Sequence, residues 1–388
     1  MSDSEFLDFS FISFSCSDHC VEMRSDCHKK ILSLAQIGDF DSLNQELEKS
    51  DLNPRDIVHQ KTGDCLLHVA ARAGHVECLN VLLKEYKMCV DQKNYEFKTA
   101  LHEAAQSGET GAVEVLVSAG AQVDCLKRAD WTPLMLAATR PGNDDCVSRL
   151  LAAGGDPVIT NKDGWTALQV SVRTGDLSMV ETLVNSAPDT INMKSNNGRT
   201  VLHTACLAGH SRIVMYLMTV PGVVTMVNDQ DSCGNTALMD AARAGHLDCV
   251  QQLLTLDSVD AGLCDNVGRN IVQVSAEAGT THILSYLKNT LFMELSTGLT
   301  LHSAAREGHA DTVQTILECG ADADAVDSFG RTALFLSVSG QHVEAARVLL
   351  ESGASVDVVD KNGVGIRQLA RKQEMKELLS KYCSYPDK

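Results

Sequence analysis

Apolar residues in this chain recur in short runs at a nearly fixed interval. Leu67, Leu101, Leu134, Leu168, Leu202, Leu238, Leu301 and Leu334 each open such a run, and most intervals between them are 33 or 34 residues, with one of 36. Val272 takes the place between Leu238 and Leu301, and the unit it opens is only 29 residues long. Shortly downstream stands a glycine (Gly74, Gly108, Gly175, Gly209, Gly245, Gly279, Gly308), usually followed by His and then by a second apolar run such as VECLNVLL or LDCVQQLL. A period of this size marks stacked copies of one supersecondary unit.

Each position in the period has a physical task. Thr99, Thr132, Thr166, Thr200, Thr236 and Thr332 sit where a helix would start, and a hydroxyl there accepts an otherwise unpaired N–H. Pro133 follows at the first helical position, where its missing N–H is no loss. The leucine and the paired alanines (Ala70-Ala71, Ala104-Ala105, Ala241-Ala242, Ala304-Ala305) predict a thin first helix that neighbouring units approach closely. Glycine then ends that helix in the left-handed conformation. The unit is therefore read as helix, turn, helix and a projecting hairpin. Pro141 and Gln341 replace the glycine in two units, and the adjacent Gly142 and Gly340 predict that the turn shifts by one residue there.

The segments ALHEAAQSG, VLHTACLAGH and LHSAAREGHADTVQTILECGAD resemble ankyrin repeats. That resemblance covers roughly residues 60 to 359 and implies an all-α ankyrin-repeat solenoid of helix-turn-helix units with projecting hairpin loops. Residues 28–57 fit a polar N-terminal capping repeat, with Ile31 in the leucine place and Gly38 in the glycine place. About nine repeats then occupy 58–359. Residues 360–388 read as a degenerate C-terminal cap and tail, with Arg367 at the leucine position. Residues 1–27 read as a disordered acidic and aromatic tail containing Phe6, Phe9, Phe11 and Phe14.

Composition narrows the function. Of the 388 residues 44% are hydrophobic but only 4% aromatic, so the interior is built from Leu, Val, Ile and Ala. The net charge of −18 is opposite to that of a general phosphate-binding surface, which argues against direct nucleic-acid binding. Fourteen cysteines are spread singly with no C-x-x-C pair, and read as small apolar residues of a reducing compartment. The start MSDSEFLDF lacks the basic and apolar pattern of a secretion signal, and no stretch is apolar enough to span a bilayer. A cytoplasmic location is expected, in the cytosol alone or in the nucleus as well, with no membrane partner and a monomeric state.

No phosphate-binding glycine loop, dinucleotide fingerprint or nucleophile elbow is present, and the chain is read as a non-enzyme. His102-Glu103 opens an H-E-x-x-H pattern, but Gln106 stands where the second metal ligand belongs. Nine of the thirteen histidines follow from register: His68, His102, His203 and His302 after the leucine; His75, His210, His246, His309 and His342 after the turn glycine. In ankyrin repeats such histidines hydrogen-bond between units. Cys16, His19, Cys20, Cys27 and His28 cluster in the tail, but their spacing matches no common structural zinc site. No metal and no cofactor are expected.

The resemblance implies that a partner is held along the hairpin tips and first helices, which line a concave face. The position before the capping Thr falls there, and it holds Asp64, Lys98, Trp131, Trp165, Arg199, Asn235, Arg269, Gly298 and Arg331. The chain's two tryptophans thus occupy equivalent places in consecutive units. Lys98, Trp131, Trp165, Arg199, Arg269 and Arg331 are the expected partner-binding residues, since Trp and Arg are enriched at binding hot spots.

VDCLKRADWTPLM, NKDGWTAL and GQH at Gly340–His342 are further similar to an ankyrin subfamily that binds alanyl-tRNA synthetase. That resemblance implies a non-catalytic cofactor that limits serine mischarging by accepting activated serine on lysine side chains. Lys162, in NKDGW, matches one acceptor. At the second, Arg128 stands in place of lysine with Lys127 adjacent, and at the third stands Asn192 with Lys194 two residues on. The alternative is an ankyrin adaptor for an unrelated protein, such as a ubiquitin-ligase or trafficking component.

Overall fold

The computed structural model describes residues 15–50, 52–291 and 298–382, with side chains from residue 26 onward except at 291, 298 and 299. Phe6, Phe9, Phe11 and Phe14, and the side chains of Cys16, His19 and Cys20, lie outside the described residues. Regular structure among the described residues is helical, joined only by isolated antiparallel bridges such as Val58 with Cys65 and Gln230 with Thr236. None of these helices is long and apolar enough to cross a membrane.

The chain forms two compact units, residues 1–190 and 191–388. In the first, helix pairs run Ser15–Ile37 with Phe40–Lys49, Leu66–Arg72 with Val76–Lys84, Ala100–Ser107 with Thr110–Ser118, Pro133–Ala137 with Asp144–Ala152, and Ala167–Thr174 with Leu177–Ser186. The second holds Val201–Ala208 with Ser211–Thr219, Ala237–Ala244 with Leu247–Leu253, Ile271–Ala278 with Thr281–Leu291, Gly298–Glu307 with Ala310–Glu318, Ala333–Ser339 with Val343–Glu351, and Ile366–Leu369 with Gln373–Tyr382. Apart from the first and last pairs, the first helices are mostly buried, because Leu101, Ala104 and Ala105 and their counterparts let a neighbouring helix approach closely. The second helices bury one stripe only, for example Ala112, Val113 and Leu116.

The caps expected from the sequence are present. The hydroxyls of Thr132, Thr166, Thr200, Thr236 and Thr332 accept the N–H of the third helical residue at 3.2–3.4 Å. At the ends the sequence reading needs adjustment. The opening helix begins at Ser15, ahead of the repeat boundary at residue 28. In the last unit Ile366 carries the burial, while Arg367 is exposed and reaches Asp357 at 4.0 Å. The short unit after Val272 keeps both helices: residues 292–297 connect it to the next helix, where residues 254–270 make the preceding connection. Gly298 is the first residue of the following helix.

The two turns without a glycine at the usual place behave differently. Beside Pro141 the turn does shift, and Gly142 takes φ +76°. At the other, Gly340 stays right-handed and Gln341 itself adopts φ +61°. Its side chain offsets that strain: Nε2 donates to Val338 O at 2.6 Å and Leu369 O at 2.8 Å, and Oε1 accepts from the N–H groups of Arg371 and Lys372 at 2.9 Å. Gly340 is needed for a different reason, since a Cβ there would overlap the His342 ring.

His75 and His309, which follow turn glycines, bind backward, as does His282 three residues past Gly279. His75 Nε2 donates to Gln36 O, His282 to Gly245 O and His309 to Glu277 O, each at 2.9 Å. The His309 ring lies directly over Gly279, which has φ +72° and where a Cβ would come 2.6 Å from Nδ1. Gly279 thus serves conformation and clearance together. Gly279→Ala is expected to destabilise the protein by about 2 kcal/mol or more, from left-handed strain plus displacement of His309. Gly353→Ala, at φ +92° with open space around it, is expected to cost only the strain, about 1–2 kcal/mol. Denaturant midpoints of the two variants compare the terms; equal losses would show that the histidine contact contributes nothing.

Candidate functional site

The residue before each capping Thr closes a hairpin tip, hereafter a finger. In most fingers an Asn or Asp begins the turn and its carboxyl or amide oxygen accepts two backbone N–H groups. Asn94 Oδ1 takes those of Glu96 and Lys98 at 2.9 and 3.0 Å, and Asn161 Oδ1 takes those of Asp163 and Trp165 at 2.9 Å. Asp231, Asp265 and Asp327 do the same in the second unit. Glycine at the fourth place supplies the positive φ this turn requires, as at Gly164 and Gly330.

Two consecutive fingers of the first unit depart from this pattern. Phe97 occupies the glycine place at φ +61° and is 53% exposed. In the next finger Lys127 replaces Asn or Asp, and an ammonium cannot accept the turn's N–H groups. That turn closes instead with Ala129 at φ +63° and Asp130 at φ +61°. A non-glycine residue in this region costs on the order of 1–2 kcal/mol, so the pair of fingers stores strain that the others avoid.

Histidines of the first helices fix the fingers of the following units. His102 Nδ1 accepts the Thr99 N–H at 3.1 Å, so its Nε2 carries the proton and donates to Trp131 O at 3.2 Å. His68 reaches Lys98 O at 2.8 Å, His203 reaches Asn235 O at 3.0 Å and His302 reaches Arg331 O at 2.8 Å. Lys98, Trp131, Asn235 and Arg331 are thus each held by the backbone carbonyl from the preceding repeat.

Those side chains are less available than the sequence suggests. A recurrent bridge joins the row residue to the first-helix residue eight positions on. Arg72 pairs with Asp64 at 2.7 Å, Lys98 Nζ donates to Gln106 at 2.9 Å, Arg173 lies 5.6 Å from the Trp165 ring centre, Arg243 donates to Asn235, and Arg269 pairs with Glu277. Lys98 also pairs with buried Glu103 at 3.2 Å, Arg199 with Asp231 and buried Asp240, Arg269 with Asp265 at 2.8 Å, and Arg331 with Asp327 at 2.7 Å. The expected cationic row is thus largely neutralised by carboxylates, which sequence reading missed. The signal was visible in the acidic residues at the finger starts and in Glu103 and Asp240, which share one helix position.

Burial works to raise the Glu103 carboxyl, but hydrogen bonds and charge from Arg72, with Lys98, outweigh it and hold the group ionised below its ordinary value. Glu103 pairs with Arg72 and Lys98 and His102 bonds Thr99 and Trp131, and among the described residues no group of three potential ligating side chains comes together. Cys65, Cys78, Cys125, Cys146, Cys206 and Cys249 are buried as expected, whereas Cys89, Cys233 and Cys264 are exposed.

Trp131 and Trp165 are both half-buried. Lys127 Nζ lies 5.6 Å from the Trp131 ring centre, and the Arg128 guanidinium 6.0 Å from that of Phe97. Of the lysines singled out in the sequence, Lys127 is half-buried and Lys162 exposed, both in the first unit; Lys194, in the second, pairs with Asp229 at 3.0 Å. Burial and the nearby charge of Lys98 lower the Lys127 pKa.

Residues 31–127, 119–192, 188–260, 247–327 and 301–383 match the family described as ankyrin repeats in three copies. The chain belongs to the ankyrin-repeat family. Members are in general non-catalytic interaction scaffolds, and this chain is a protein-binding scaffold.

The neutral histidines give folding a pH signature. Burial, aided by Lys127, pushes His102 down to about 4 from an ordinary 6.5, and burial moves His203 the same way. Between those limits unfolded His102 is protonated and the folded residue is not, so the unfolded state binds more protons. Stability is therefore expected to fall as pH drops from 6.5 to 4, by about 1.4 kcal/mol per pH unit for this group where the difference is complete. His102→Gln retains an acceptor for the Thr99 N–H, as Gln169 accepts the Thr166 N–H at 3.0 Å. Denaturant unfolding at about pH 7 and about pH 5 should show a smaller acid loss for the variant; an unchanged loss would remove His102 as its source.

Proposed function

We propose that this scaffold binds alanyl-tRNA synthetase and limits serine mischarging by taking activated serine onto lysine side chains, as implied by its resemblance to ankyrin repeat domain-containing protein 16. On this reading the protein works in the cytoplasm, in the cytosol alone or in the nucleus as well. The observation that carries it is the pair of half-buried tryptophans at equivalent places in consecutive units, flanked by Lys127 and Lys162 within the matching segments VDCLKRADWTPLM and NKDGWTAL.

The chemistry needs little apparatus. A seryl adenylate is a mixed anhydride; a neutral amine attacks its acyl carbon, the new amide loses a proton, and AMP leaves with the electron pair of the broken bond. No dedicated base is required if the amine is already unprotonated and held close. The amide is stable, so the lysine is consumed. The lowered pKa of Lys127 raises its neutral fraction, and the exposure of Lys162 gives it access. Lys194 is a poorer nucleophile while its ammonium pairs with Asp229. Arg128 cannot substitute, because a guanidinium stays protonated.

Incubation with the synthetase, ATP and serine is expected to leave seryl adducts on Lys162 and Lys127 in excess of Lys194, read by peptide mass spectrometry. An intact complex without adducts would reduce the role to scaffolding. Replacing both tryptophans by Ala is expected to leave the far-UV circular dichroism nearly unchanged and to weaken the complex by about 2 kcal/mol or more. Full affinity in a folded double variant would remove this surface from the interface, and failure to recover the synthetase from native cells would favour a different partner.

A further inference from the structure

The two strained fingers of the first unit differ from the rest of the row in a way the fold does not require. Elsewhere the glycine place holds glycine, including Gly63, Gly164, Gly198, Gly234, Gly268 and Gly330, all at positive φ. Phe97 takes the same conformation, yet it is more than half exposed and its described ring contact is Arg128, itself exposed. An unfavourable backbone bearing a large apolar ring that is not buried is the pattern expected where binding, not folding, selects the residue.

Charge points the same way. Lys98, Arg199, Arg269 and Arg331 are each matched by a carboxylate. Lys127 and Arg128 are held over aromatic rings instead, and among the described residues neither lies within ion-pair distance of a carboxylate. Glu96 and Asp130 stand on the same fingers but do not pair with them. The Arg128 backbone N–H is anchored to Glu96 O at 3.1 Å, which sets the guanidinium beside the Phe97 ring. A net charge of −18 makes this pair of cations without an ion pair, framed by Phe97 and Trp131, distinctive.

We infer that the Phe97 and Lys127–Trp131 fingers form a docking site for an acidic segment of a protein partner, with carboxylates meeting Arg128 and Lys127 and apolar side chains meeting Phe97 and Trp131. The inference rests on the protein-binding role and not on the identity of the synthetase.

The test uses the full chain and a fluorescein-labelled peptide of about 15 residues that alternates Glu or Asp with Leu, together with a counterpart in which Lys replaces every acid. Wild type is expected to bind the acidic peptide at least about tenfold more tightly than the basic one. Arg128→Glu should lose about tenfold or more, whereas Arg212→Glu, a charge reversal in the second unit, should leave binding unchanged. Phe97→Gly is the decisive variant: it should weaken binding about fivefold or more while its thermal midpoint stays level or rises, because glycine suits the turn. Equal binding of the two peptides, no effect of Arg128→Glu, an equal loss with Arg212→Glu, or a lowered midpoint with unchanged binding for Phe97→Gly would each overturn the inference. Peptide binding that behaves as expected with no synthetase recovered from cells would sink the proposed partner and leave this site standing.

Discussion

The structure depends on a neutral imidazole with both ring nitrogens engaged. In the helix pairs opened by His68, His102 and His203, Nδ1 completes the cap of its own helix while Nε2 grips the backbone of the next finger. Local helix initiation and contact between units are thereby one arrangement. A ring that gained a second proton could not accept at Nδ1, and burial holds His102 and His203 in the neutral form; at His68 burial is outweighed by the hydrogen bond and charge of Cys65, which push the imidazole the other way. The abundance of histidine in an acidic chain, which superficially invites metal or acid–base proposals, is in part this device and in part the backward bonds of His75, His282 and His309.

Much of this was legible in the sequence because the period is enforced by stacking. A unit that cannot bury its own apolar face must repeat the residues that meet its neighbours, and Leu101, Ala104, Ala105 and Thr99 recur in kind along the chain. The exceptions were legible only in part. Pro141 forced a shifted turn, as its ring geometry demands. Gln341 did not, because the choice between it and Gly340 is made by the His342 ring and by a last unit brought near only in three dimensions. Such contacts leave no local mark.

The site was harder to read than the fold. The register located Trp131, Trp165 and Arg199 on one row, but availability depends on what each side chain meets. Asp240 lies 41 positions from Arg199, and Glu103 lies 31 from Arg72. A reading by residue type counts cations; the folded chain cancels most of them. Strain was also concealed, since Phe97, Ala129 and Asp130 look ordinary until the equivalent glycines of the other fingers are aligned with them.

Gln341 also shapes how the C-terminal end comes apart. One amide holds its own helix end and two segments of the final pair, through Val338, Leu369, Arg371 and Lys372. Those bonds share a single side chain, so they are kept or surrendered together. Replacing that one side chain would therefore release the helix end and the link to the last helix at once, loosening the hold of the final pair on its neighbour.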